Sequence, residues 1–204
     1  MRRTAALLTC LALPVQAQDA LQVAPVFSQI VAFPLPDGFA PAFEDANEAG
    51  YLNEAVLAGE TVQAWSQMIT LSGAKGLVSD DPAYDAATMA AYLGKLYSGA
   101  CPQGFAETAF DPPQIKGARA VHAGYLSCAT LPDSPQSESM VFLVLVGAAD
   151  VYTLQWAEHA APSALPIPYA PRVWDSRLSH LAATARLCDP VAGEAPPYPS
   201  CTGI

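Results

Sequence analysis

Glu158 and His159 are adjacent at the end of the apolar run Asp150–Glu158, and their side chains are of the types a general acid–base pair uses. A small hydrolase built on them is one reading of the chain; a two-residue coincidence at a strand end is the bland one. The other two histidines sit in weaker contexts. His122 lies mid-run between Val121 and Ala123, where a half-exposed strand histidine is the simpler account, and His180 lies on the flank of a helical stripe, facing solvent. A serine nucleophile needs a strained turn with a base in reach. There is no GxSxG, and neither Ser72-Gly73 nor Ser98-Gly99 completes one. Glu44, Asp45, Glu48, Glu54 and Glu60 crowd one stretch and could supply paired carboxylates, but an acidic, solubilising hairpin explains them as well. Gly73-Ala74-Lys75-Gly76 lacks P-loop spacing, and Asp80-Asp81-Pro82 is not a calcium loop. No cofactor is expected.

Five aromatics form a second candidate. Trp65, Tyr125, Phe142, Tyr152 and Trp156 could face one groove between a helix and a sheet and line a small-ligand pocket, or they could fill the core.

The N-terminus indicates where such chemistry would act. Met1-Arg2-Arg3 is a basic start, Ala5–Pro14 is a short apolar run, and Val15-Gln16-Ala17 fits a signal-peptidase site, so residues 1–17 read as a signal peptide and 18–204 as one exported domain. Cys10 lies inside the apolar run without the small residues that precede a lipidated cysteine. The apolar run is too short to span a membrane, and no later stretch reaches the length required. The expected location is the periplasm or the medium.

Cleavage leaves Cys101, Cys128, Cys188 and Cys201. An even number in an oxidising compartment reads as two disulfides, for which three connectivities exist. Sequence proximity favours Cys101–Cys128 and Cys188–Cys201. The second would tether a Pro-rich tail, GEAPPYPSCTGI, that has no apolar pattern of its own. Buried thiols are the alternative. Zinc lacks its CxxC, HxxxH or HExxH spacing, so no metal site is expected.

Of the 204 residues 52% are hydrophobic and 14% charged, and the formal charge is -10. That balance excludes disorder and disfavours nucleic acid, since phosphate contacts need clustered Lys and Arg.

The elements follow from spacing. Residues 19–32 read as an edge strand or loosely tethered arm, ended by Pro34 and Pro36. Ala42–Asn47 and Tyr51–Leu57 read as a hairpin, Gly59-Glu60-Thr61 as a helical turn with Thr61 at its N-cap, and Ser66–Leu71 as a strand. Asp81–Ser98 is the clearest helix: Asp81 caps it, Pro82 suits its first position, Met89, Leu93, Leu96 and Tyr97 form its stripe, and Gly99 stops it. Phe105–Phe110, Ala118–Cys128, Ser139–Gly147 and Asp150–Glu158 read as antiparallel strands. Val173–Cys188 reads as a last helix burying Trp174, Leu178, Leu181, Ala185 and Cys188. Assembled, this is a single α+β domain, an antiparallel sheet with helices packed on it.

The order resembles the PsbP-like fold: Leu35-Pro36-Asp37-Gly38-Phe39 matches its opening LPxGF turn, and Val173–Cys188 its closing helix. Gly59-Glu60-Thr61-Val62-Gln63-Ala64-Trp65 is similar to a GET-x-x-x-W stretch of uncharacterised exported proteobacterial proteins. Neither resemblance carries catalytic positions. The signal peptide, the bridged α+β pattern and the lack of a catalytic motif point to a non-catalytic periplasmic binding or assembly module of PsbP-like type, whose partner would be an envelope protein or a small ligand. A periplasmic hydrolase and an exported metal-binding or stress protein are the alternatives.

Overall fold

The computed structural model describes residues 20–101, 104–132 and 134–203. The expected leader, residues 1–17, lies outside the described residues, so neither it nor Cys10 is tested by the fold.

Two antiparallel sheets are present. Ala20–Val26 (β1) and Gln29–Leu35 (β2) form a hairpin around the two-residue turn Phe27-Ser28, with Phe27 at φ 53°. The expected edge strand is present as β1, but residues 20–35 form a hairpin whose second arm, β2, is central in its sheet and buried at all seven residues. Pro34 does not break β2. It sits opposite Leu21 at a position whose missing N–H points away from β1, beyond the end of the third strand of this sheet, which reaches only to Ala32.

The second sheet has seven strands: Phe39–Ala46 (β3), Gly50–Leu57 (β4), Gln67–Ala74 (β5), Phe105–Phe110 (β6), Ala120–Cys128 (β7), Ser137–Val146 (β8) and Val151–Ala160 (β9), in the spatial order β3-β4-β5-β9-β8-β7-β6. The near-continuous apolar run of β8 is explained by its central place, since Met140–Val146 are buried on both faces. At the edge, β3 is almost wholly exposed, and it carries Pro41 and a bulge between Pro41 and Phe43, features that discourage pairing with another chain.

One face of this sheet is covered by a single helix, Pro82–Ala100 (α1). Asp81 caps it as expected, accepting the Tyr84 N–H at 3.1 Å, and buried Asp85 accepts both the N–H and the hydroxyl of Ser79 at 2.7 Å. The helix continues past Gly99 to Ala100. Its contact face also differs from the expected stripe: Ala86, Ala90 and Gly94 lie against the sheet with Met89, Leu93 and Tyr97 flanking, while Leu96 is half exposed. Small residues win the centre because they let the helix backbone approach the flat apolar surface of β7 and β8.

The opposite face packs against the β1–β2 hairpin and a second helix, Pro171–Thr184 (α2), around Ile69, Leu71, Tyr125, Val141, Leu143, Tyr152 and Leu154. The last expected helix is shorter than its periodicity implied. Trp174 and Leu181 are buried in it, but Arg186–Cys188 becomes a strand (β10) pairing with β2 at Ala32, Val31 and Ile30, because an open backbone edge is available there. Cys188 consequently lies on a strand, not a helix face. A final turn, Pro199–Thr202 (α3), ends the described chain. The disulfides are Cys101–Cys128 and Cys188–Cys201, with Cα separations of 5.5 and 5.6 Å. Among the described residues no helix is long and apolar enough to cross a membrane. The chain is thus a single, predominantly β fold with few helices packed on antiparallel sheets.

Candidate functional site

Strand alternation separates the two residues that could form an acid–base pair. Glu158 and His159 are neighbours on β9, so their side chains leave opposite faces. Glu158 turns toward α2 and forms an ion pair with Arg177. His159 turns the other way and meets Glu138, its partner across the β8–β9 ladder, at 2.9 Å between Nε2 and Oε2.

Four side chains from four segments converge around that contact. Tyr97, on the last turns of α1, donates its hydroxyl to Glu138 Oε1. The His159 ring stacks on Trp65, with centroids 3.6 Å apart and planes 21° from parallel, and His159 Nδ1 lies 3.2 Å from the Trp65 carbonyl. A backbone carbonyl only accepts, so Nδ1 carries the hydrogen of that bond. Burial, then the charge of Glu138 and the hydrogen bond to it, push the Tyr97 hydroxyl well above its ordinary value.

Trp65 is held in place by the loop before β5. Thr61 and Ala64 exchange backbone hydrogen bonds of 3.2 and 2.9 Å, a tight turn in place of the expected helical cap. Glu60 receives the Ser66 hydroxyl at 2.6 Å and its N–H at 2.9 Å. Those two bonds, the side-chain one first, hold the Glu60 carboxyl below the usual carboxylate range. The Gly59–Trp65 stretch therefore works as a bracket for the indole.

Chemically, the cluster ties α1, β8, β9 and the β4–β5 loop together. The ring nitrogens of His159 are taken by the Trp65 carbonyl and Glu138, and among the described residues no Ser hydroxyl or Cys thiol is bonded to either. Tyr97 and Glu138 were missing from the sequence-derived site. Tyr97 read as part of an apolar stripe, and Glu138 lay one residue outside the expected strand.

On the α2 face, Arg177 stacks between Trp174 and Trp156, with its guanidinium carbon 4.5 and 5.2 Å from their centroids, and shares Gln67 Oε1 with the Trp156 indole N–H. His180 packs edge-on against Trp156 rather than facing solvent, and His122 stacks near Phe142 with centroids 6.1 Å apart.

The five aromatics do not share a groove. Tyr125, Tyr152 and Trp156 pack with the α2-side core, whereas Phe142 and Trp65 pack with the α1-side core. Tyr125, Phe142 and Tyr152 are fully buried. Parity explains the split: Tyr152, Leu154 and Trp156 share one face of β9, and Phe142 lies on the other face of the same sheet. The four cysteines form the two disulfides, and among the described residues no group of three or more His, Cys, Asp or Glu side chains could hold a metal ion.

The outer flank of α1 carries a different feature. Tyr84, Thr88, Tyr92 and Leu96 recur every fourth residue, and Tyr84, Tyr92, Leu96 and nearby Leu77 are 51–65% exposed. Beside them lies a largely apolar cavity of about 500 Å3 whose lining includes Leu77, Asp85, Met89, Tyr92 and Val151.

No protein-family model matches this chain, and no curated protein matches it. Among solved structures it is similar to the Saccharomyces cerevisiae Ran-binding protein Mog1p, with a TM-score of 0.43 and 10% identity over 71% of this chain and 79% of that one. It is also similar to a mutant of protein Mog1, with a TM-score of 0.42 and 12% identity over 80% and 86% of the two chains. Likeness at this level transfers no function.

Proposed function

We propose that this chain is an exported, non-catalytic binding or assembly module of PsbP-like type, freed of residues 1–17 and acting in the periplasm or medium on an envelope protein. The observation that carries the reading is Tyr84, Tyr92 and Leu96, large side chains left in water on the outer side of α1, with Leu77 of the preceding loop also exposed and a cavity between Leu77 and Tyr92. Exposed, aromatic-rich apolar side chains grouped on one side of a helix match the composition of contact patches. Two further facts support it. Both disulfides suit an oxidising compartment, and the His159–Glu138 pair is largely buried and holds elements together.

The test is site-specific photo-cross-linking in the producing cell. A photoreactive residue placed at position 92 or 96 gives a discrete protein adduct, and the same residue at position 47, on the tip of the β3–β4 hairpin, gives none. Adding Tyr92→Asp to the position-96 variant removes the adduct while leaving the melting temperature unchanged. Adducts of equal strength from both faces, or none from α1, overturn the reading.

A further inference from the structure

β1 is an edge strand whose outer side opens into a slot. The Val26–Gln29 pair closes the β1–β2 turn, so antiparallel alternation bonds Gln22, Ala24 and Val26 to β2 and directs the N–H and C=O groups of Leu21 and Val23, with the Pro25 carbonyl, outward. Those groups border a cavity of about 530 Å3 that runs along five consecutive residues, Leu21–Pro25. At about 3.3 Å per residue this is a wall some 16 Å long, the length of a short strand.

The two faces of the slot differ in chemistry. Its floor comes from the β3–β4 hairpin: Glu44, Tyr51 and Asn53, with Gln22 Nε2 donating to Asn53 Oδ1 at 3.0 Å. Its roof is the disulfide-tethered tail, Pro196, Pro197 and Tyr198, of which Tyr198 joins the apolar cluster of Leu21, Val23 and Cys201. Glu44 takes the Tyr51 hydroxyl at 2.8 Å on Oε1 and has no ion-pair partner among the described residues. Burial first, then the hydrogen bond to Glu44 and its charge, push the Tyr51 hydroxyl far above its ordinary value, so it remains a donor to that carboxylate. Residues 20–74 hold Asp37, Glu44, Asp45, Glu48, Glu54 and Glu60 and no Lys, Arg or His. The slot therefore sits in a one-signed field.

We infer that this slot binds an extended basic peptide segment, which adds to β1 as a fourth strand of the small sheet, with alternate side chains a cation against Glu44 and an apolar group under Pro196, Pro197 and Tyr198. Strand addition satisfies the open backbone groups of Leu21 and Val23, and the period of two along a strand matches an acidic floor to an apolar roof. The site lies on the sheet face away from α1, so it stands independently of the helix-flank reading.

The experiment uses the full, exported, oxidised chain and follows backbone amide resonances as capped five-residue peptides are added. A peptide alternating lysine with valine gives saturable shifts centred on Leu21–Pro25, Glu44 and Tyr198. The counterpart with glutamate for lysine binds at least about tenfold more weakly, as does a version N-methylated on its pairing edge, which loses about two backbone hydrogen bonds. Glu44→Gln, an exposed change that leaves folding intact, weakens the lysine peptide about fivefold. Equal binding of the acidic or N-methylated peptide, shifts centred elsewhere, or no saturable binding of the lysine peptide overturns the inference.

Discussion

Glu138 lies directly opposite His159 across the β8–β9 ladder, its Oε2 2.9 Å from His159 Nε2, while its other oxygen accepts the hydroxyl of Tyr97 from α1. One carboxylate thus joins a helix to two central strands, and through the His159–Trp65 stack to the loop before β5.

Removing that carboxylate leaves two poorly solvated groups without a partner. Glu138→Ala is expected to cost about 2–3 kcal/mol, because the Tyr97 hydroxyl and His159 Nε2 lose their bonds without regaining water. Tyr97→Phe alone removes one of those groups and costs less. In a double-mutant cycle by urea denaturation the two changes couple by about 1 kcal/mol or more. Simple additivity would show that the cluster is incidental.

Asp150 predicts how stability responds to acid. Burial raises its carboxyl pKa, but the Ser28 hydroxyl, the N–H groups of Gly76 and Ser28 and the Tyr152 hydroxyl together outweigh burial and hold it below the ordinary range. A carboxyl whose folded pKa is depressed contributes stability that is present above its unfolded value, about 3.9, and lost as pH falls through the folded value. The midpoint of urea unfolding should therefore fall between pH 5 and pH 2 more steeply in the wild type than in Asp150→Asn. At pH 7 that variant is the less stable of the two. Parallel pH profiles would refute the assignment.

The two disulfides should differ in weight. On the loop-entropy account, opening Cys188–Cys201, separated by 13 residues, costs about 3 kcal/mol, and opening Cys101–Cys128, separated by 27, costs about 3.5 kcal/mol. Paired Cys→Ser variants followed by calorimetry check the order. Loss of the Cys188–Cys201 bridge should also speed proteolysis of the tail, since what then holds it is a small apolar contact of Tyr198 and residue 201 with Leu21, Val23, Ile30 and Ala32, and the Glu194–Ser200 hydrogen bonds lie within the tail itself.

Gly117 lies where the main chain runs alongside β10, Lys116 forming a parallel bridge with Arg186. Its φ is +81°, and a Cβ there would lie 1.9 Å from the Leu187 carbonyl oxygen, next to the bond from the Leu187 N–H to the Lys116 carbonyl at 2.9 Å. Gly117→Ala should destabilise by at least about 2 kcal/mol, combining strain at positive φ with a backbone clash. Gly193→Ala, also at positive φ but in open space, is the milder control. Equal melting temperatures for the two variants would contradict the geometry.

Much of the secondary structure was legible because its signals are local. Asp81-Pro82 announces a helix start through hydrogen bonds within one turn, and the VFLVLV run of β8 announces double-sided burial by composition alone. The errors arose where a local pattern met a distant partner. Val173–Cys188 has helical spacing throughout, yet its last residues pair with β2, which lies about 155 residues earlier in the chain. The stripe through Leu96 has the right period for burial, but the flat sheet beneath α1 selects Ala86, Ala90 and Gly94 instead.

By itself, then, the amino-acid order determined the helix cap, the alternation of the strands, an acidic segment without cations, and the sulfur pairs that proximity favours. Tertiary structure decided which side chains meet. Glu158 and His159 part because a strand's faces alternate, and Glu138 reaches His159 only because β8 and β9 pair in one register. Register is a property of two segments packed on a shared core, so no single segment can encode it.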